Sequence, residues 1–430
     1  MIKFTEKNFG AVFVETVKKK LKSAGGYVLA FFKWLALAVV TGLVGGVVGT
    51  LFHVSVEYVT GLRKDNPWII LLLPVGGIVI AGLYRLCGKK DIGTNEIIDA
   101  VRTPNGVPIV LAPLIFVSTV ITHLFGGSAG REGAALQLGG SIANFIGRVT
   151  RLDEKDMHIM TLCGMSAVFS ALFGTPLTAA VFALGVISVG VIYYAGLLPC
   201  IVSAYTAYLV SDFFGMKPVS FELKTVPDFN IQNCLRVAAL AVLCALLSIV
   251  FCLAIHGTHK LFSKYIKNTF LRAAVGGVII VALSLIWRSG DYNGAGMDVI
   301  EKAMAGAARP EAFILKLIFT AVTVGAGYKG GEIVPTFFVG STFGCVVGGL
   351  LGLDPGFGAA VGLVALFCGV VNCPLASVFL SIELFGAQGM WLFALAVSVS
   401  YLLSGYYGLY SSQRIVYSKL RAEVINVNAK

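Results

Sequence analysis

Long apolar runs, broken repeatedly by glycine and proline, constrain the fold of this chain most strongly. Runs such as "YVLAFFKWLALAVVTGLVGGVVGTLFHV" (27–54) and "WIILLLPVGGIVIAGLYRLC" (68–87) match or exceed the roughly 20 residues that cross a bilayer as a helix. Similar runs recur as far as residue 407, whereas a β-barrel would have short alternating segments. The sequence therefore predicts an all-α polytopic membrane protein.

Composition supports this prediction and adds detail about the helices. The chain is 57% hydrophobic and 13% charged, against roughly 25% charged residues in soluble domains. Its 51 glycines and 13 prolines interrupt the apolar runs, which predicts many short, tilted or broken helices. Backbone that is not helical at membrane depth must be buried in protein or line a polar cavity.

The charge of the chain is +11, from 33 basic and 22 acidic residues. Basic residues flank the apolar runs, and the one dense cluster is "KKKLK" (18–22). By the positive-inside rule we expect a multi-pass protein of the cell (inner) membrane with both termini in the cytoplasm. The scattered charge does not favour a nucleic-acid partner, and no cysteine or histidine spacing predicts a metal site or a cofactor.

An internal repeat divides the chain. "GREGAALQLGGS" (130–141) aligns with "GGEIVPTFFVGS" (330–341), which places Glu132 opposite Glu332. In the same order, "GTNEIIDA" (93–100) resembles "GMDVIEKA" (296–303). Further along each half, "GTPLTAAVFALG" resembles "NCPLASVFLSIE". We expect a cytoplasmic N-terminal segment (1–26), two membrane repeats (27–215 and 232–420), a linker (216–231) and a cytoplasmic tail (421–430).

Broken helices at matching positions of two repeats are typical of the substrate site of a transporter. The N-terminus of a helix attracts an anion through its free N–H groups and its dipole. The glycines that begin the motifs at 93, 130 and 330 leave those N–H groups accessible. The sequence therefore predicts an anion site between the two halves.

Glu132 and Glu332 are the strongest candidates for chemistry at that site. A carboxyl within the membrane is costly and is usually functional, although a contact with Arg131, a helix cap, or for Glu332 a contact with Lys329 would each be a structural alternative. Two ionised carboxylates would repel an anion, so at least one must take up a proton to bind it. That requirement couples anion binding to protons.

Other candidates surround the two carboxyls. Thr94 and Asn95 are ordinary helix-capping residue types, but in a convergent site they would bind the ion. Tyr410 follows the last apolar run and either belongs to an interfacial aromatic belt or points inward. The remaining candidate positions are motif residues that offer backbone N–H groups or, for Arg131, a guanidinium: Gly130, Arg131, Gly133, Gly331, Ile333 and Val334.

One motif suggests an enzyme instead. "GGSAG" (126–130) matches the G-x-S-x-G pattern of serine hydrolases. That pattern requires a strand-to-helix turn and a histidine base, whereas both flanks here are apolar helical runs. Short motifs of this kind match often by accident, so we do not expect an enzyme.

The motifs together resemble those of the CLC family of chloride channels and proton-coupled anion antiporters. "GREGA" resembles the G-R-E-G-P signature, "GGEIVP" resembles G-x-F-x-P, and "GTNEII" stands where the family has G-S-G-x-P. "GLYSSQ" (408–413) resembles the segment with the inward-facing tyrosine. The resemblance implies a CLC-type fold of many short and tilted helices in two inverted repeats, assembled as a homodimer with one pathway in each subunit.

Departures from these signatures resemble the fluoride-exporting branch of the family. Ala134 replaces the proline, Glu332 stands within the third motif, and the inner glutamate of chloride exchangers is replaced around Gly185 and Val186. The resemblance implies a fluoride/proton antiporter in which Glu132 is the gate, Glu332 an additional essential carboxyl and Tyr410 the central tyrosine. A chloride/proton antiporter and a passive anion channel are the alternatives.

Overall fold

The computed structural model describes residues 6–88, 93–103 and 106–430, with side chains from residue 25 onwards. In these residues the chain is mainly helical, with very little strand, as predicted. The helices of the first half are α1 (Glu6–Asp65), α2 (Leu73–Leu86), α3 (Thr94–Ala100), α4 (Leu111–Leu124), α5 (Glu132–Val149), α6 (Glu154–Phe173), α7 (Pro176–Val186) and α8 (Leu197–Phe213). Short 3₁₀ helices cover Pro67–Leu72 and Tyr194–Gly196.

The second half has the same succession of helices. They are α9 (Ile231–Tyr265), α10 (Thr269–Trp287), α11 (Met297–Met304), α12 (Ala312–Gly325), α13 (Ile333–Leu350), α14 (Pro355–Val371), α15 (Pro374–Phe385) and α16 (Met390–Leu403). Each helix of α1–α8 thus has a counterpart eight places later. Residues 214–230, between α8 and α9, separate the two sets.

Similar local signals begin the counterpart helices. The side chains of Asp153 and Asp354 cap α6 and α14 by accepting hydrogen bonds from backbone N–H groups. Pro176 and Pro374 stand at the first turns of α7 and α15, where a missing N–H costs nothing. The internal repeat is therefore visible in the helix-capping residues as well as in the sequence motifs.

The two halves are inverted relative to each other, which the contact between α2 and α10 makes clear. A Cβ on Gly77 would lie 3.0 Å from the Cβ of Ala273, and a Cβ on Gly277 would lie 2.7 Å from the Cα of Pro74. Later residues of α2 thus contact earlier residues of α10, so these counterpart helices run antiparallel. The predicted fold of two inverted repeats is confirmed.

Glycine allows α13 and α14 of the second half to pack closely. A Cβ on Gly344 of α13 would lie 2.9 Å from the Cα of Gly362 on α14, a distance that no other residue tolerates. Small residues at regular spacing let membrane helices approach at backbone distance. This contact fixes α13, and with it the helix start that carries Glu332.

In the described part of the chain, seven helical segments are long and apolar enough to span a membrane, and six shorter apolar helices accompany them. The sequence did not predict the small sheet formed by β1 (Ser188–Val189), β2 (Arg414–Tyr417) and β3 (Val424–Asn428). Strand β2 pairs in parallel with β1 and antiparallel with β3. The last residues of the chain are thereby attached to the segment after α7.

Candidate functional site

Two helix starts, one from each repeat, meet in the buried interior of the protein. The Gly130 N–H donates to the Gly331 carbonyl over 2.6 Å, and the Gly331 N–H donates to the Gly130 carbonyl over 2.7 Å. This antiparallel pair joins the loop before α5 to the loop before α13. The N-termini of both helices, and the carboxyls beside them, are therefore neighbours.

Glu132 is the first residue of α5 and is completely buried. Its Oε2 accepts a hydrogen bond from the Arg131 N–H over 3.0 Å and another from the Val334 N–H of α13 over 3.4 Å. The Arg131 guanidinium comes only to 4.0 Å from Oε1, too far for a hydrogen bond. The carboxyl thus sits at the N-terminus of the helix from the other repeat.

Gly133 marks the place where the second carboxyl meets the first helix start. A Cβ on Gly133 would lie 3.3 Å from Oε2 of Glu332, 3.2 Å from Oγ1 of Thr94 and 3.1 Å from the Cα of Gly331. The side chain of Glu332 therefore reaches across to the first repeat, just as Glu132 reaches the second. Three predicted site residues converge here, around a position that lacks a side chain.

Thr94 is held in this cluster by a residue that the sequence reasoning missed. The amide of Gln137, on α5, donates to Thr94 Oγ1 over 3.2 Å, and Oγ1 approaches the Gly133 carbonyl at 3.4 Å. Gln137 is buried and lies one turn after Gly133, on the same face of α5. Its place within "GREGAALQLGG" was a usable signal, because a glutamine in an apolar helix requires a partner.

Asn95 contributes differently from Thr94. Its Oδ1 accepts a hydrogen bond from the Ser412 N–H over 3.0 Å, so its side chain holds the segment after α16. Tyr410, in that segment, is buried, with 2% of its surface exposed. The tyrosine therefore points inward, and the interfacial alternative for it is wrong.

A second missed residue, Gln413, positions the tyrosine segment. Its amide donates to the carbonyls of Val186 over 3.0 Å and of Val371 over 2.8 Å. Asn372 in turn donates to its Oε1 over 3.1 Å. Gln413 thus connects α7 and α14 to the segment of Tyr410, a connection between distant parts of the chain that no local pattern indicates.

The remaining candidate positions lie along the two helix starts. Ile333 begins α13 and its side chain is buried, whereas Val334 contributes the N–H that reaches Glu132. Gly130 and Gly331 are engaged with each other. Arg131 faces a different space, the cavity described next.

A cavity of about 650 Å³ leads to Glu132 from one face of the protein. It lies between the end of α1, the end of α10 and the start of α11, and its lining includes His53, Arg63, His123, Arg131 and Glu132. We call it the Glu132 cavity. Glu132 stands between this cavity and the cluster around Gly133, which is where a gate to an inner site would have to stand.

Ser128 and His123 do not form a nucleophile–base pair. The hydroxyl of Ser128 lies 3.0 Å from that of Thr320, and its N–H donates to Thr323 Oγ1 over 3.0 Å. His123 directs Nε2 to the Gly130 carbonyl at 3.2 Å. Both residues thus hold the loop before α5 in place.

The two repeats differ at the position where chloride exchangers carry the inner glutamate. Gly185 and Val186 end α7, while the aligned position in the second repeat carries Glu383, near the end of α15. Glu383 accepts hydrogen bonds from the N–H groups of Leu177 over 2.9 Å and Thr178 over 2.8 Å. It thereby caps α7 of the other repeat.

The family model described as "Voltage gated chloride channel" matches residues 76–405. The chain belongs to the CLC family of voltage-gated chloride channels. The resemblance stated from its motifs is confirmed, and the chain is a multi-pass membrane protein of that family.

One curated relative and two solved structures specify the similarity. The chain is 36% identical, over 90% of its length and 87% of the relative's, to a chloride/fluoride channel protein of Pseudomonas syringae pv. tomato. It is similar to the crystal structure of a CLC-type fluoride/proton antiporter, with 31% identity, a TM-score of 0.86, and coverage of 89% of this chain and 98% of that one. A slow cyanobacterial Cl⁻/H⁺ antiporter has the same fold, with 20% identity, a TM-score of 0.71, and coverage of 86% and 94%.

Proposed function

We propose that this protein is a fluoride/proton antiporter that exports fluoride from the cytoplasm, coupled to proton entry through the gating carboxyl of Glu132. The observation that carries the proposal is the crossed placement of two carboxyls. Glu132 binds the N-terminus of α13, and Glu332 reaches Gly133 at the N-terminus of α5. Each carboxyl thus reaches the helix start of the opposite repeat.

Glu132 occupies the place of an anion. An ionised carboxylate at a helix N-terminus accepts hydrogen bonds from the same N–H groups that would bind a free anion. The carboxylate and the anion therefore compete for the Val334 N–H. Protonation of Glu132 removes its charge and weakens this contact, so a proton arriving through the Glu132 cavity frees the position for an anion.

Glu332 is suited to a small, strongly hydrated anion such as fluoride. Removing the water of fluoride requires strong donors to replace it, and an ionised hydrogen-bond partner roughly doubles the strength of a hydrogen bond. A protonated Glu332 would supply one such donor, beside the hydroxyls of Thr94 and Tyr410. The hydroxyl of Tyr410 and Oε2 of Glu332 have no hydrogen-bond partner among the described residues, so both are available to an ion.

The similar solved structure supports fluoride and protons as the substrates. That crystal structure is of a CLC-type fluoride/proton antiporter, and it aligns with 89% of this chain. Because the inner glutamate is replaced around Gly185 and Val186, we assign the inner proton step to Glu332. We further propose a homodimer in the cell membrane, with one pathway in each subunit and both termini in the cytoplasm.

A passive anion channel is the second candidate. The observation that favours it is the name of the relative from Pseudomonas syringae pv. tomato, a chloride/fluoride channel protein, at 36% identity. A channel and an antiporter differ in one measurable property, because only the antiporter moves protons against their gradient when an anion gradient drives it.

Flux measurements on the purified protein in liposomes test the proposal. A fluoride gradient is imposed with no pH gradient, and the internal pH is recorded, followed by the same measurement with chloride. We expect fluoride to drive protons uphill and chloride to drive few. Equal proton movement with both halides would indicate a chloride/proton exchanger, and anion flux without proton movement would indicate the channel.

A further inference from the structure

The residues after β2 fold back onto the segment that carries Tyr410, residues 406–413. The N–H of Lys430 donates to the Tyr406 carbonyl over 2.9 Å. The hydroxyl of Tyr406 lies 2.9 Å from Oγ of Ser418, in the loop between β2 and β3. This loop and strand β3 therefore pack directly against the tyrosine segment.

Lys419, in the same loop, places its ammonium group among three oxygen atoms. Its Nζ donates to Oδ1 of Asn372 over 2.5 Å, to the Tyr401 carbonyl over 2.9 Å and to Oγ of Ser404 over 3.0 Å. Nζ also lies 4.3 Å from the ring centre of Tyr401. These contacts use all three donors of the ammonium, so Lys419 is held in one position.

The three oxygen atoms belong to the C-terminal ends of two helices. Asn372 is the C-cap of α14, in the left-handed conformation that asparagine adopts at such positions. Ser404 is the C-cap of α16, and Tyr401 is in the last turn of that helix, where carbonyl groups lack partners within the helix. A cation at a helix C-terminus also interacts favourably with the helix dipole. Lys419 thus joins the ends of α14 and α16.

The ammonium of Lys419 fixes the orientation of the Asn372 amide. An ammonium only donates hydrogen bonds, so it requires the oxygen of this amide on its side and leaves the nitrogen on the other. That nitrogen, Nδ2, donates to the Tyr407 carbonyl over 2.9 Å and to Oε1 of Gln413 over 3.1 Å. The contact with Lys419 therefore determines which group Asn372 offers to the tyrosine segment.

Gln413 connects this contact to Tyr410. The side chain of Gln413 is fully buried, and its backbone N–H donates to the Tyr410 carbonyl over 3.0 Å. The hydroxyl of Tyr410 has no hydrogen-bond partner among the described residues. The direction of that hydroxyl thus depends on a turn whose far end is held by Asn372, and Asn372 is held by Lys419.

We propose that Lys419 is a positioning residue for anion binding, acting through the Asn372 amide on the turn that carries Tyr410. This role rests on the proposed function, because that function places the Tyr410 hydroxyl at the anion. Lys419 itself does not touch the ion. Its effect on anion affinity should therefore disappear when Tyr410 has no hydroxyl.

A double-mutant cycle in liposomes tests this role. Lys419→Met removes the ammonium but keeps an unbranched side chain, and Tyr410→Phe removes the hydroxyl. We expect each single variant to raise the KM for fluoride roughly tenfold, about the effect of one good hydrogen bond, with proton coupling retained in Lys419→Met. In the Tyr410→Phe background, Lys419→Met should change KM by less than about twofold, because residues that act through one contact are not additive.

Two further variants separate the position of the charge from its presence. Arg421 is an exposed basic residue of the same loop, so Arg421→Met is the matched control and should leave KM unchanged. Lys419→Arg keeps a cationic donor and should recover most of the lost affinity. If Lys419→Met does not fold, Ser404→Ala takes its place in the cycle. It removes one acceptor of the ammonium and should raise KM about threefold, again only when the Tyr410 hydroxyl is present.

Three results would overturn the role of Lys419. They are an equal rise in KM from Lys419→Met with and without the Tyr410 hydroxyl, an equal effect of Arg421→Met, and no recovery of affinity in Lys419→Arg. Failure of the proposed function is recognised separately, in the unmodified protein, by transport of chloride in place of fluoride or by anion flux without protons. The same cycle is then run with the anion that the protein carries, and additivity still decides whether Lys419 acts through Tyr410.

Discussion

The two motif loops share one backbone arrangement but use their carboxyls differently. Gly130 and Gly331 exchange paired hydrogen bonds in the buried interior of the protein. Glu132 is completely buried and accepts hydrogen bonds from backbone N–H groups of both repeats. Glu332 leaves Oε2 without a hydrogen-bond partner among the described residues, beside Thr94 and Gly133.

In the proposed function, this difference is what would let a symmetric scaffold work in one direction. The inverted repeat brings two helix starts together, each attractive to an anion. Side chains then distinguish them, because the Glu132 carboxyl accepts a hydrogen bond from the start of α13, whereas Oε2 of Glu332 has no hydrogen-bond partner among the described residues. The predictions below test that division of roles.

The largest effect is expected from Glu132→Gln. Glutamine fills the same space but cannot carry a proton, so proton movement should fall by about 100-fold or more while fluoride still passes. Internal pH and fluoride flux in liposomes measure the two quantities separately. Glu57→Gln, in the lining of the same cavity, is the control and should remain coupled; intact coupling in Glu132→Gln would remove the gating role.

Replacing Glu332 should affect fluoride more than chloride. In Glu332→Ala, a hydrogen-bond partner of the ion worth about 1.5–3 kcal/mol is lost, and fluoride flux should fall roughly 10- to 100-fold. Glu332→Gln keeps an N–H donor and should retain more flux, although without coupling. Glu301→Ala, at an exposed position on α11, controls for loss of charge; equal reduction of both halides in Glu332→Ala would contradict its role in selectivity.

Gly133→Ala probes the space between the two motifs. The counterpart of Gly133 is Ile333, so a side chain is tolerated in one repeat, whereas in the other a Cβ would lie 3.1–3.3 Å from Gly331, Thr94 and Glu332. Overpacking of about 1–3 kcal/mol should slow fluoride transport roughly tenfold. In the control Gly185→Ala, the nearest atom is Cys373 Sγ at 3.5 Å, an ordinary contact; equal rates in the two variants would refute the crowding.

The smallest effect concerns a cap outside the motif loops. Glu383 of the second repeat caps α7 of the first, and the aligned Gly185 makes no reciprocal cap. Glu383→Gln keeps one acceptor oxygen but loses its charge at the helix N-terminus, which should cost about 1 kcal/mol. The midpoint temperature of thermal unfolding should fall by a degree or two, while proton coupling should be retained. Exposed Glu222 provides the control Glu222→Gln, and a loss of coupling in Glu383→Gln would instead give that carboxyl a part in proton transfer.

Much of this architecture was predictable from the sequence, because its signals are local. Apolar run length fixes membrane insertion, and the capping residues and prolines mark the helix starts. Repeated motifs at a constant spacing predicted the meeting of Glu132 and Glu332, since an inverted repeat places matching positions about one axis.

The contacts between individual atoms at the site were not predictable from local sequence patterns. Gln137 and Gln413 act through contacts with residues far away in the chain, and Asn95 binds Ser412 rather than joining Thr94 at Gly133. Neither the strands at the end of the chain nor the Glu132 cavity has a local signal, because each is formed by segments from both repeats. Residue patterns predicted the membrane-spanning helices, the internal repeat and the two carboxyls. The crossing of those carboxyls between helix starts required the folded chain, because helix packing sets distances that residue spacing does not specify.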